Sequence, residues 1–163
     1  MSEISIENYK VFVFDLDDTL YLHSVNYDYR VEYTKKIREF LQSLRDMGKI
    51  LCLATHNKSP YHYLNKMDIS DLFDEIVYEQ KDVSPNYNSI YEYTNKKDMI
   101  QEIIMKTNVS TNDIVFFDDM DYNLQEVKSI GVESIKVYPC KGIVLDSIID
   151  VIPVDMQDIQ VKN

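Results

Sequence analysis

The stretch VFVFDLDDTL, residues 11–20, runs four apolar residues into three carboxylates, Asp15, Asp17 and Asp18, and then the hydroxyl of Thr19. Carboxylates this close repel and raise one another's pKa, so something must offset the repulsion. Two further polar groups follow apolar runs: Thr55, His56 and Asn57 after residues 49–54, and Asp118, Asp119 and Asp121 after residues 113–117. Two carboxylate clusters converging on one point make a site for a hard cation, and Mg2+ takes oxygen ligands. The cation would neutralise the repulsion and supply positive charge for a phosphate. Asp15 is the expected bridging group, since a metal-bound carboxylate at a strand end can attack phosphorus in line and form an aspartyl-phosphate. Asp17, two residues on, can protonate the leaving oxygen and later deprotonate the attacking water. Thr55, with backbone N–H groups beside it, can hold a phosphoryl oxygen, and a lysine is needed to balance its charge.

Such convergence requires strands that end at one edge of a sheet. Apolar runs at residues 10–14, 49–54, 75–78, 113–117 and 134–138 read as five strands, without the polar alternation of a one-sided sheet. Helical periodicity falls between them, at residues 31–47, 60–67, 98–106 and 123–130, with a last helix expected over residues 143–151. Alternation of this kind predicts an α/β fold: a doubly wound, Rossmann-like three-layer sandwich on a mainly parallel five-stranded sheet. Ligands then bind beyond the carboxyl ends of the strands, where the acidic and hydroxyl clusters fall. Residues 1–163 read as a single domain, with residues 155–163 as a frayed polar tail.

Bulk properties narrow the function classes. The net charge of −11 argues against a nonspecific nucleic-acid binder, which needs a basic face. No apolar run is long enough to cross a bilayer, and the N-terminus lacks a signal-peptide pattern, so a cytoplasmic setting is the default. Cys52 and Cys140 are both expected as buried, reduced thiols. His23 and His62 read as ordinary surface or half-buried residues, Asp121 as surface, and Asp18 either as part of the acidic site or as a residue that caps or hydrogen-bonds the turn. Asn123 is expected either to contact Asp119 or to begin its helix.

The same pieces resemble the haloacid dehalogenase (HAD) superfamily of aspartyl phosphatases. That family carries D-x-D-x-T after the first strand, a Ser or Thr after the second, then a Lys, then an acidic pair after the fourth. The chain offers Asp15-Leu16-Asp17-Asp18-Thr19, Thr55 and Asp118-Asp119 in that order. Within the superfamily, VFFDDMDYNLQEVKSIGV and LATHN are most similar to the magnesium-dependent phosphatase-1 group. The resemblance implies Asp15 as nucleophile and Asp17 as general acid/base. It implies Mg2+ held by Asp15, Asp118 and the backbone carbonyl of Asp17, supported by Asp119. Spacing from Asp118 in the resembled group points to Lys96 as the phosphate-binding lysine, with Lys97 and Lys81 as alternatives. His56 stands where the group has Arg and is expected, with Asn57, near the substrate; Asp18 stands where the superfamily usually has Gly. No large insertion lies between Thr19 and Lys49 or between Thr55 and Lys96, so the site is expected to be capless or minimally capped. It would accept phosphorylated small molecules or phosphoproteins, with a second subunit of a homo-oligomer as the other source of cover. The rival reading is a receiver-like or purely binding domain that accepts a phosphoryl group without turnover.

Overall fold

The computed structural model describes residues 4–79 and 95–149. Strands β1 (Ile4–Ser5), β2 (Val11–Phe14), β3 (Ile50–Thr55), β4 (Glu75–Tyr78), β5 (Ile114–Asp118), β6 (Glu133–Lys136) and β7 (Ile148–Ile149) follow in chain order. Among the described residues four α-helices intervene: α1 (Tyr27–Asp46), α2 (Pro60–Met67), α3 (Lys96–Thr107) and α4 (Asp121–Lys128). Five strands form one fully parallel sheet in the order β4-β3-β2-β5-β6. The expected doubly wound α/β fold is therefore the fold of this chain.

Every residue of β2 is buried because β2 is central and both faces of the sheet are covered. Successive side chains point to opposite faces, so one apolar run serves two cores. Phe12, Phe14, Leu51, Leu53 and Phe117 pack with Ile37, Phe40 and Leu41 of α1 and Leu64 of α2. Val11, Val13, Cys52, Ala54 and Phe116 pack with Met99, Ile100 and Ile103 of α3 and Leu124 and Val127 of α4. Helices α1 and α2 thus cover one face and α3 and α4 the other. Phe14 stacks on Phe117 with centroids 5.0 Å apart and meets Phe40 edge-on at 6.3 Å. Truncating such a core phenylalanine to alanine typically costs about 3–5 kcal/mol.

The register positions the chemistry. Phe14 pairs with Phe117 on β5 and with Leu53 on β3, so Asp15 leaves the sheet level with Asp118 and near Thr55. The loop that carries Asp15 follows β2, because a short first strand, β1, precedes it and pairs with β7.

Three expectations are corrected. Residues 143–151 do not form a helix: a turn, the 3-10 segment Leu145–Ser147 and β7 occupy the described part of that range, up to residue 149. Ile148 pairs with Ile4, and Ile4, Ile6, Ile143 and Ile148 extend the first core cluster. Cys140 is exposed, in the turn before Gly142, whereas Cys52 is buried and burial pushes its thiol up to about 12. Helix α1 starts before residue 31, where Asn26 Oδ1 accepts from the Tyr29 amide at 2.8 Å and satisfies one of its free donors. The segment 84–94, with Tyr87, Tyr91 and Tyr93, lies outside the described residues, as do Lys81 and the tail 155–163. No described helix is long and apolar enough to cross a membrane.

Candidate active site

The loop after β2 is held in place by its apolar residues. Leu16, Leu20 and Leu22 are fully buried, and the amides of Thr19, Leu20 and Tyr21 all donate to the Leu16 carbonyl at 3.2, 3.0 and 2.9 Å. The intervening polar residues are thereby turned toward the sheet edge. Asp18 adopts a left-handed backbone, φ +61°, which explains why glycine suits this position; Asp is among the few residues that tolerate it. Its carboxylate accepts from the His23 amide at 3.0 Å, so Asp18 is a turn residue.

Asp15 is 7% exposed, Lys96 1% and Asp118 0%. The Lys96 ammonium donates to Asp15 Oδ1 and to Asp118 Oδ2, each at 2.8 Å. Asn95 fixes the start of α3: its side chain accepts from the Asp98 amide at 2.9 Å, which makes Lys96 the first helical residue. Asp118 also accepts from the Met120 amide at 2.8 Å and from Asn123 Nδ2 at 3.2 and 3.3 Å. Asn123 therefore meets Asp118 rather than Asp119, and α4 begins two residues before it. Oxygens of Asp15, Asp118 and Asp119 lie within 4.8 Å of one another. Lys136 secures the acidic turn through the Asp119 carbonyl at 2.6 Å and the Asp121 carboxylate at 3.0 Å.

Burial dominates the electrostatics. It pushes the Asp15 carboxyl up to about 8, with Lys96 pulling the other way and Asp118 adding to the rise. Asp119 is raised too, first by burial and also by the charge of Asp118, against a hydrogen bond with Asp15. Burial alone would lower Lys96, yet its two carboxylate partners outweigh this and raise it. Three carboxylates against one ammonium leave two negative charges in excess when all are ionised. A divalent cation cancels that excess, and an all-oxygen donor set matches a hard cation. The residues present thus fit a divalent metal.

The remaining candidates stand on β3 and its following loop. Thr55 is buried at the end of β3, and its hydroxyl accepts from the Asn57 amide at 3.0 Å; Ser59 occupies the cap position of α2, so Thr55 does not cap that helix. Asn57 Nδ2 donates to the two Asp17 oxygens at 3.3 and 3.1 Å. His56 turns to Glu79, 3.5 Å away, beyond β4. Asp17 has a second partner that sequence reasoning passed over: His23 Nε2 lies 2.6 Å from Asp17 Oδ1. A histidine six residues after Asp17 in an irregular loop carries no periodic signal, and its role is set by the turn geometry.

Residues 26–152 match the acid phosphatase family model. The chain belongs to that family. It is a phosphatase of the HAD superfamily, and its five-stranded parallel sheet is the fold of its structural relatives. One of these is the N-terminal part, containing a phosphatase domain and complexed with Mg, of a Bacteroides fragilis protein; identity is 19% and TM-score 0.65, over 85% of this phosphatase and 39% of that chain. A haloacid dehalogenase-like family hydrolase from Streptococcus pneumoniae aligns at 13% identity and TM-score 0.55, over 96% of this phosphatase and 100% of that chain. A β-phosphoglucomutase from Clostridium difficile aligns at 14% identity and TM-score 0.56, over 94% and 96%. At these identities the likeness is one of fold. No curated protein matches the sequence.

Proposed function

We propose that this phosphatase is a Mg2+-dependent phosphomonoester hydrolase working through an aspartyl-phosphate on Asp15. One observation carries the reading: Asp15 is buried at the end of the central strand, within ligand reach of Asp118 and Asp119 and bonded to Lys96. Asp15, Asp118 and Asp119 would hold the ion, with the Asp17 carbonyl as a further oxygen. When bound, the ion supplies positive charge that attracts the phosphoryl group and keeps Asp15 ionised.

An Asp15 oxygen attacks phosphorus as the bond to the leaving oxygen breaks, and Asp17 gives that oxygen its proton. Water then attacks phosphorus, Asp17 takes a proton from it, and the bond between phosphorus and Asp15 breaks. Free Asp15 and inorganic phosphate result. Lys96 balances charge on the phosphoryl oxygens, and the Thr55 hydroxyl and nearby amides orient them. Phosphotyrosine and sugar phosphates are the substrate classes the reading favours.

Hydrolysis of p-nitrophenyl phosphate tests the reading. Turnover should require Mg2+, disappear in EDTA and return on readdition. Asp15→Asn should abolish it while the protein stays folded; full activity in that variant, or in chelator, contradicts the proposal.

A further inference from the structure

Asp17 is partly exposed, in contrast to the buried Asp15, so its orientation must be set by side chains around it. Two side chains reach it from different segments: His23 Nε2 lies 2.6 Å from Oδ1, and Asn57 Nδ2 donates to Oδ1 and Oδ2 at 3.3 and 3.1 Å. The histidine is itself fixed on several sides. Its amide donates to Asp18 Oδ1 at 3.0 Å, and its carbonyl accepts from Arg30 Nη2 at 3.2 Å. Arg30 of α1 also binds the Leu22 carbonyl through Nε at 2.6 Å. The imidazole packs edge-on against Tyr21, centroids 4.9 Å apart, and against Tyr63 of α2 at 5.7 Å. Loop, α1 and α2 thus aim one ring nitrogen at one oxygen of Asp17.

We propose that His23 is a positioning residue for Asp17, holding Oδ1 so that the carboxyl group presents one fixed orientation to the leaving oxygen. The inference rests on the reading of Asp17 as general acid. A carboxyl group can carry its proton on either oxygen and can rotate. A ring nitrogen 2.6 Å from Oδ1 and an amide that spans Oδ1 and Oδ2 together fix the carboxyl plane. The carboxyl group then faces the leaving oxygen in one orientation, and the catalytic geometry is assembled before substrate binds. Asn57 supports the same orientation from the β3 side.

The chemistry predicts where the loss shows. A positioned proton matters when the leaving oxygen is basic and matters little when the leaving group departs easily as an anion. Steady-state rates with phenyl phosphate and with 2,4-dinitrophenyl phosphate, on the Mg2+-supplemented full chain, read this difference. His23→Phe keeps a ring against Tyr21 and Tyr63 but removes the donor; His23→Ala is a second donorless variant should the first fold poorly. His23→Gln restores an N–H at a similar reach. General acid catalysis contributes on the order of 100- to 10,000-fold, and misplacing the acid forfeits part of that. The donorless variant should therefore lose kcat roughly tenfold or more beyond its loss on dinitrophenyl phosphate, with KM for both esters little changed. His23→Gln should recover most of the phenyl phosphate rate. Equal losses on the two esters, or no recovery in His23→Gln, overturn the proposal. Asp17→Asn separates this outcome from failure of the underlying reading. If that variant loses no more on phenyl than on dinitrophenyl phosphate, Asp17 is not the general acid, and the role given to His23 falls with it.

Discussion

Replacing Lys96 with methionine removes the one ammonium between two buried carboxylates while keeping a long apolar stem beside Phe116. At 2.8 Å an ionised pair is worth about 6 kcal/mol before desolvation, at an effective dielectric of ~20, and the Asp15 carboxyl, held up to about 8 by burial, does not form one at pH 7 without metal. Much of that attraction offsets the cost of burying the ions, so the net loss comes from what is left behind. Asp15 already holds its proton up to about 8 in the metal-free site. Without Lys96 the site must take up a further proton or keep an uncompensated charge. Protonating a carboxyl of ordinary pKa at pH 7 costs about 4 kcal/mol. Breaking a buried pair by removing one partner costs about 3–5 kcal/mol, in agreement. The expected destabilisation is therefore about 3–5 kcal/mol, a fall in Tm on the order of 10 °C. Urea unfolding in chelator at pH 7 measures it. The deficit should shrink as pH falls toward 4, where the carboxylates protonate anyway. A loss below about 1 kcal/mol at pH 7, or one independent of pH, would refute the charge-balance reasoning.

Three further outcomes follow from the structure. Because burial holds the Asp15 carboxyl up to about 8, a proton competes with the metal, and Mg2+ affinity by calorimetry should climb from pH 6 to about 8 and then flatten; constant affinity would count against Asp15 as a ligand. The sign for stability is opposite: the chelated protein binds more protons folded than unfolded between pH 4 and 8, so denaturant midpoints should fall as pH rises through that window. Gly142 has φ +78°, and a Cβ there would overlap the Tyr33 ring, whose hydroxyl donates to the Thr19 carbonyl at 2.6 Å and accepts from the Ile143 amide at 2.8 Å. Gly142→Ala should therefore cost about 2–5 kcal/mol in urea unfolding, from left-handed strain and overpacking together. A change within 0.5 kcal/mol would show that Tyr33 is free to move.

The sheet was legible because central parallel strands must be apolar on both faces, and VFVF, ILCLA and IVFF leave little else to be. The acidic site was legible because carboxylates directly after such runs fall at one edge. Lys96 was placed through family spacing; the physical reason it fits is the Asn95 cap, which starts α3 there. Residues 143–151 misled because Val144, Leu145, Ile148 and Ile149 satisfy a helical spacing, and short apolar runs do not separate helix from strand. The deciding contact is with Ile4, at the other end of the chain, together with the turn at Gly142. His23 reads from sequence as an ordinary surface or half-buried residue for a related reason: nothing local marks its partner, and only the Leu16–Leu22 turn brings its ring to Asp17.

The claim on which the mechanism stands is that phosphorus is bonded for a time to Asp15. Rapid acid quench during turnover with Mg2+, borohydride reduction and peptide mass spectrometry read this directly, since an acyl phosphate on aspartate is reduced to homoserine. Homoserine at position 15, absent without substrate, is the predicted result. An unaltered Asp15 peptide throughout a productive turnover, or the modification on another residue, would contradict the account.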